Sequence, residues 1–258
     1  MRCGRNSAQG EGNQQVMARQ QGRWQWVLAV VAVLSVAGCT AGQEGVSPGA
    51  SDGKPSASSS GAEGAGGGEA TGTAKLPGMP TADRARSELD ALKVAEQGSM
   101  SGYNRDKFPH WAEQGERCDT RETILERDGE DVRQNDQCRA ESGTWVSAYD
   151  GKSFTDSGDL DIDHMVPLAN AWRSGARGWS QEQRKAFAND LTHPQLLAVS
   201  AASNRSKSDQ GPDEWQPPAK TYWCPYGRAW TSVKSTYELT VTQEEKDVLG
   251  EMLDTCSS

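Results

Sequence analysis

Apolar positions recur at helical spacing at Ala85, Leu89, Leu92 and Ala95, behind a possible N-cap at Thr81. This predicts an amphipathic helix over about residues 82–96, stopped by Gly98. A polar stretch follows, pinned by Tyr103, Phe108 and Trp111, and His110 beside Trp111 reads as a packing histidine. Residues 120–127, with Ile124 and Leu125 inward, predict a short helix, and Asp128-Gly129 a turn. The β-rich run Thr144–Tyr149, then Asp150-Gly151 and Lys152–Thr155, predicts a hairpin. Leu160 to Val166 reads as a strand ending before Pro167. A short helix is expected at 169–172, and the capping box at Ser180 and Gln183 opens another that runs to about Asn189. Leu196–Val199 predicts a second strand, followed by a helix over about 201–208. Pro212, Pro217 and Pro218 mark an extended segment whose Trp215 and Trp223 are expected to pack across that unit. Residues 228–237 fit a helix or a strand equally. A second capping box at Thr242 and Glu245 opens a final helix with Val248, Leu249 and Leu253 as its stripe. The interleaving of strands and helices predicts an α+β fold.

The first third of the chain has a different pattern. The apolar run Val27–Val36 follows Arg19 and Arg23 and ends in small residues, too short for an ordinary membrane span. It reads as an export signal, residues 1–38, whose start is either Met1 or Met17. Val36-Ala37-Gly38-Cys39 resembles a bacterial lipobox, which implies lipidation of Cys39. The location implied is the outer face of the bacterial cytoplasmic membrane, or release from the cell. Residues 40–74 hold ten Gly, six Ser and seven Ala, so nothing there can bury a core. Residues 39–75 are therefore expected to be a flexible tether, spanning several tens of ångströms on the scaling of about 5–6 Å × √n. The globular part is expected over 76–258.

From Leu76 onward 21 Lys and Arg stand against 31 Asp and Glu, a net of −10 that argues against a general basic footprint. Between His164 and Lys207, however, six basic residues face two acidic ones. A locally basic site on an acidic body predicts weak, salt-sensitive binding of phosphate.

Four cysteines follow the tether: Cys118, Cys138, Cys224 and Cys256. None lies in a Cys-x-x-Cys pair, which disfavours a structural zinc site. In an exported chain they predict two disulfides. Three pairings are possible, of which Cys118–Cys138 and Cys224–Cys256 are preferred because each closes one flank of the central segment.

The central segment carries the chemistry. In Asp161-Ile162-Asp163-His164-Met165-Val166-Pro167 a carboxylate adjoins a histidine at a strand end. In Asn204-Arg205-Ser206-Lys207-Ser208-Asp209 an amide and a cation share a helical face. Asp163 and Asn204 offer hard oxygens suited to a cation such as Mg²⁺. His164 suits a general base, and Lys207 a phosphate contact. Strict alternation puts Asp163 and His164 on opposite faces, so a turn at the strand end must bring both to one cleft. Asp161 is expected to orient a neighbour rather than ligate. Arg173 and Arg177 are further candidates for phosphate, Arg184 and Lys185 read as a solvated face, and His193 as a solvated loop residue.

These two stretches resemble the HNH endonucleases, the ββα-metal nucleases. The wider chain, over roughly 82–256, is similar to secreted HNH proteins related to the C-terminal domain of GmrSD-type restriction endonucleases. That branch is indicated by Gly102-Tyr103-Asn104-Arg105-Asp106-Lys107-Phe108, Cys118-Asp119-Thr120-Arg121-Glu122, Phe187-Ala188-Asn189-Asp190-Leu191 and Gly211-Pro212-Asp213-Glu214-Trp215. The resemblance implies a ββα core over about 158–210 within extra helices and a small hairpin, stabilised by disulfides. It implies Asp163 and Asn204 as ligands of one divalent metal, Mg²⁺ first with Mn²⁺ an alternative, and His164 as base. Arg205 falls within the matched helix motif. The family's central Asn precedes the second strand, and that position here is Gln195, so the signature reads His-Gln-Asn. In the family this residue braces the histidine loop, a task open to Gln195 or, alternatively, to Asn189. The activity implied is metal-dependent hydrolysis of nucleic acid, DNA before RNA, by an exported and lipid-anchored monomer, leaving 5′-phosphate ends. The alternative is a catalytically impaired nucleic-acid-binding or surface interaction module on the same anchor.

Overall fold

The computed structural model describes residues 76–115 and 117–257. The apolar run, Cys39 and the tether lie outside the described residues. None of the described helices is long and apolar enough to cross a membrane. The fold is α+β.

Helix α1 (Ala82–Ala91) is capped by Thr81, whose hydroxyl accepts from the Arg84 N–H. It ends about five residues earlier than its periodicity predicts. The cause is a tertiary backbone pairing: Ala95 N–H donates to Val241 O and Val241 N–H to Lys93 O, which pulls this segment into an extended conformation. Gly98 therefore does not stop the helix. Its N–H donates to Arg173 O at 2.7 Å, and a Cβ there would lie 2.8 Å from that oxygen.

The short strands β1 (Glu113–Gly115) and β2 (Cys118–Asp119) lead into α2 (Thr120–Asp128), capped by the Asp119 carboxylate. Strand β3 (Gly129–Gln134) then pairs antiparallel with β4 (Ala140–Val146), and β4 with β5 (Ser153–Phe154) across the turn at Gly151. The sequence indicated the β4–β5 hairpin but not β3. That strand is largely solvated, so no apolar alternation marks it. The Cys118–Cys138 disulfide ties β2, just before α2, to the turn between β3 and β4.

The ββα unit follows. Strand β6 (Leu160–His164) pairs antiparallel with β7 (Leu196–Ser200), with Asp163 opposite Leu197 and His164 opposite Leu196. Between them lie α3 (Leu168–Arg173) and α4 (Gln181–Ala188), the latter opened by the capping box of Ser180 and Gln183. Helix α5 (Ala201–Lys207) leaves β7 directly, capped by Ser200. The two sheet faces meet different cores. Leu197 and Val199 belong to the larger core with Tyr149, Trp172, Tyr226 and Trp230, while Ile162, Leu196 and Ala198 pack with Ile124, Leu125 and Trp145.

The segment after α5 runs past it, with Trp215 Nε1–H donating to Ser206 Oγ and its ring 5.1 Å from Tyr149. Residues 223–236 form helix α6 (Trp223–Thr236), resolving the sequence ambiguity. Helix α7 (Gln243–Asp254) opens with the capping box of Thr242 and Glu245, and the Cys224–Cys256 disulfide joins the start of α6 to the end of α7.

Candidate active site

Asp163, His164 and Asn204 line one cleft of about 470 Å³, together with Tyr103, Arg105 and Arg205. Alternation along β6 does put Asp163 and His164 towards different cores, as their partners Leu197 and Leu196 show. Because both sit at the strand end, they still reach the same cleft.

Asp163 is buried and held on one oxygen. Its Oδ2 accepts from Tyr149 OH at 2.5 Å and from Lys207 Nζ at 2.8 Å. Burial pushes the carboxyl above the usual carboxylate range, while the Lys207 charge and these hydrogen bonds pull against it. Burial and the Asp163 charge hold the Tyr149 phenol well above its usual value, so it stays a donor.

Lys207 therefore corrects an expectation. Its side chain is 0% exposed, packed behind Asp163, and also donates to His164 O at 2.9 Å. On α5 it is buried together with Ser203, while Asn204 lines the cleft, so the ammonium points into the body of the protein and not at a bound phosphate. Burial lowers its pKa, and Asp163 counteracts this.

His164 Nε2 lies 3.0 Å from Ala188 O. A carbonyl oxygen only accepts, so Nε2 carries the proton and Nδ1 keeps the lone pair. Burial lowers the His164 pKa to about 3, helped by the nearby charges of Arg105 and Lys207. The imidazole is neutral across the physiological range.

Gln195, fully buried, braces the histidine loop. Its Nε2 donates to Val166 O at 3.0 Å, its Oε1 accepts from Val166 N–H at 3.1 Å, and its own carbonyl accepts from Met165 N–H. Asn189 does a different job. It accepts from Ala112 N–H and Thr120 Oγ1 and donates to Pro109 O, fixing the segment that carries Trp111. Trp111, at a φ of 59°, stands with its ring 6.0 Å from His164.

On α5, Asn204 Nδ2 donates to Asp161 Oδ2 at 3.1 Å, so Asp161 orients the amide from outside the cleft lining. Arg205 approaches the same oxygen at 3.7 Å and is 76% exposed. Arg173 is engaged by Asp209, through Oδ2 at 2.6 Å and the carbonyl at 2.8 Å, and Arg177 lies exposed outside the cleft lining. Arg184 is not a solvated charge: it donates to the carbonyls of Lys107 and Trp179. His110 packs edge-on against Trp111, and His193 Nδ1 donates to Asp190. The sequence reading missed two members of the site, Tyr149 and Arg105. Arg105 sits in a motif that marks the branch and Tyr149 in the predicted hairpin, but nothing in their spacing tied them to β6.

The donor set suits a small hard cation. Asp163 and Asn204 each have one polar atom already held by the protein, leaving one oxygen apiece in the cleft-lining residues. Among the described residues no group of three or more His, Cys, Asp or Glu could hold a metal ion. Carboxylate and amide oxygens are the ligand type that Mg²⁺ takes, whereas zinc sites draw on Cys and His.

No solved structure matches the chain. A secreted protein of Arthroderma benhamiae, described as uncharacterized, is 53% identical over 180 residues, covering 70% of this chain and 88% of its own length. The family described as GmrSD restriction endonucleases, C-terminal domain, matches residues 116–252, which take in every strand and helix from β2 to α6. The chain belongs to the family of GmrSD restriction endonuclease C-terminal domains.

Proposed function

We propose that the protein is an exported, metal-dependent endonuclease that hydrolyses phosphodiester bonds, with DNA the first substrate to test. The observation carrying this reading is the shared cleft of Asp163, His164 and Asn204, with His164 fixed in the tautomer a base needs. His164 Nδ1 takes a proton from the attacking water. Ala188 O holds the ring, and Gln195 holds the loop behind it. Asp163 and Asn204 hold one divalent cation, Mg²⁺ before Mn²⁺, which when bound supplies Lewis-acid stabilisation of charge at the phosphate. Lys207 and Tyr149 fix the Asp163 carboxylate, and Asp161 the Asn204 amide, so neither ligand has to reorganise. Export is supported by the two disulfides and by the secreted relative. Lipidation at Cys39 and a monomeric state complete the proposal.

The test is incubation of the purified protein with supercoiled plasmid in Mg²⁺, in Mn²⁺ and in chelator, beside His164→Ala. Nicking that needs both metal and His164 is the expected result. A folded sample that leaves DNA and RNA intact in every metal would move the reading to a nucleic-acid-binding module.

A further inference from the structure

The stretch between His164 and Lys207 is basic in sequence, but half of its basic residues are engaged within the protein and not offered to a ligand. Arg173 is bound to Asp209, Arg184 to backbone carbonyls, and Lys207 is sealed behind Asp163. The cleft nevertheless holds two guanidinium groups. One is Arg205, the residue after Asn204. The other is Arg105, from a segment preceding the residues the family matches.

Arg105 combines a fixed backbone with an unpaired side chain. Gly98 is pressed against Arg173 O, as described above. Asn104 caps the following turn by accepting from Asp106 N–H at 3.0 Å, and Phe108 N–H donates to Arg105 O. The Tyr103 ring packs 5.8 Å from Trp172 and 6.4 Å from Phe108. The Arg105 side chain, by contrast, is exposed and has neither an ion pair nor a side-chain hydrogen bond among the described residues. It lines the same cleft as His164. A rigidly mounted cation beside a buried imidazole, lacking a carboxylate of its own, has its natural counter-charge in an anion that enters the cleft.

We infer that Arg105 contacts the reacting phosphate and Arg205 a neighbouring phosphate of the bound strand, the task the sequence spacing assigns to Lys207. This inference rests on the nuclease reading, which it deepens. A guanidinium suits the contact because its planar fork pairs with two phosphate oxygens at once.

The test uses the full chain carrying His164→Ala, so that binding is read without turnover. A labelled DNA oligonucleotide is titrated by fluorescence anisotropy at several salt concentrations, in this parent and with Arg105→Ala, Arg105→Lys or Arg133→Ala added. Arg133 is exposed on β3, away from the cleft lining. Arg105→Ala is expected to weaken binding roughly tenfold and to reduce the slope of log K against log salt by about 1. Arg105→Lys should retain the slope, and Arg133→Ala should match the parent. Thermal melts of each variant separate loss of contact from loss of fold. In protein with His164 intact, Arg105→Ala should lower kcat as well as kcat/KM. An unchanged slope and affinity in Arg105→Ala overturns the inference even if the protein cleaves DNA, and so does a parent that binds neither DNA nor RNA. A weakened slope in a protein that never cleaves upholds the phosphate contact and removes the nuclease reading instead.

Discussion

Asp163 and Lys207 form a buried ion pair whose value lies in position rather than stability. Burying both charges costs about as much as their attraction returns, so the pair contributes little to folding in itself. Its effect is to hold one carboxylate oxygen against Tyr149 and Lys207. Gln195 acts in the same way on the backbone. Its side chain satisfies both the N–H and the C=O of Val166, two groups that water cannot reach at a fully buried position. Gln195→Met keeps the volume and removes both bonds. It is expected to destabilise the protein by about 2–4 kcal/mol, one unsatisfied donor and one acceptor, measured by urea denaturation. In the nicking assay it should lower kcat more than KM, because the histidine loop shifts while the metal ligands remain. Loss of stability with unchanged kcat would restrict Gln195 to a packing role.

At the scale of elements, the connection from α4 to β7 positions the site. Asp190 follows α4 and accepts from Thr192, His193 and Tyr237. Burial alone would raise its pKa, but these hydrogen bonds outweigh burial and hold it below the usual range. A carboxyl with a lowered folded-state pKa contributes stability above its unfolded value of about 3.9, and that contribution is lost as pH falls through the folded value. Asp190→Asn should therefore be less stable than the parent at pH 7, with the gap narrowing below about pH 4. Melting curves from pH 7 to pH 2.5 check this, and a gap constant with pH would show that the carboxylate charge is not what matters. At the end of α4, Asn189 serves both sides: its amide donates to Lys185 O within the helix and to Pro109 O, and its oxygen accepts from Ala112 N–H.

At the scale of the molecule, two cores lie on the two faces of a two-stranded sheet, and each has its own covalent tie. Cys118–Cys138 closes 20 residues on the side of α2 and the hairpin, and Cys224–Cys256 closes 32 on the side of α6 and α7. The chain-entropy relation gives each about 3–4 kcal/mol. Replacing Cys224 and Cys256 by Ser should lower the unfolding free energy by a comparable amount while leaving metal-dependent nicking intact at low temperature, because β6, β7 and α5 lie outside that loop. Loss of nicking in a folded variant would show that α6 and α7 shape the cleft directly. The charge of the body sharpens the role of the cleft arginines: in a domain with more acidic than basic residues, nucleic acid has few other places to bind.

The sequence by itself determined what is local. Capping boxes at Ser180 and Thr242, the Asp150-Gly151 turn, the two strands and the short helix of the ββα unit all follow from neighbours in the chain, whose propensities and patterning act over a few residues. Asp163, His164 and Asn204 stood out by residue type and by their resemblance to the HNH motifs, whereas strand alternation alone puts the first two on opposite faces. What only the tertiary structure decided is what depends on partners distant in sequence. Helix α1 stops early because Val241 pairs with the chain after it. Lys207 turns inward because Asp163 and Tyr149 wait there, and periodicity names a face without saying what the face meets. Arg105 lines the cleft from a segment whose Tyr103 and Phe108 pack on Trp172, contacts between distant parts of the chain that no spacing encodes.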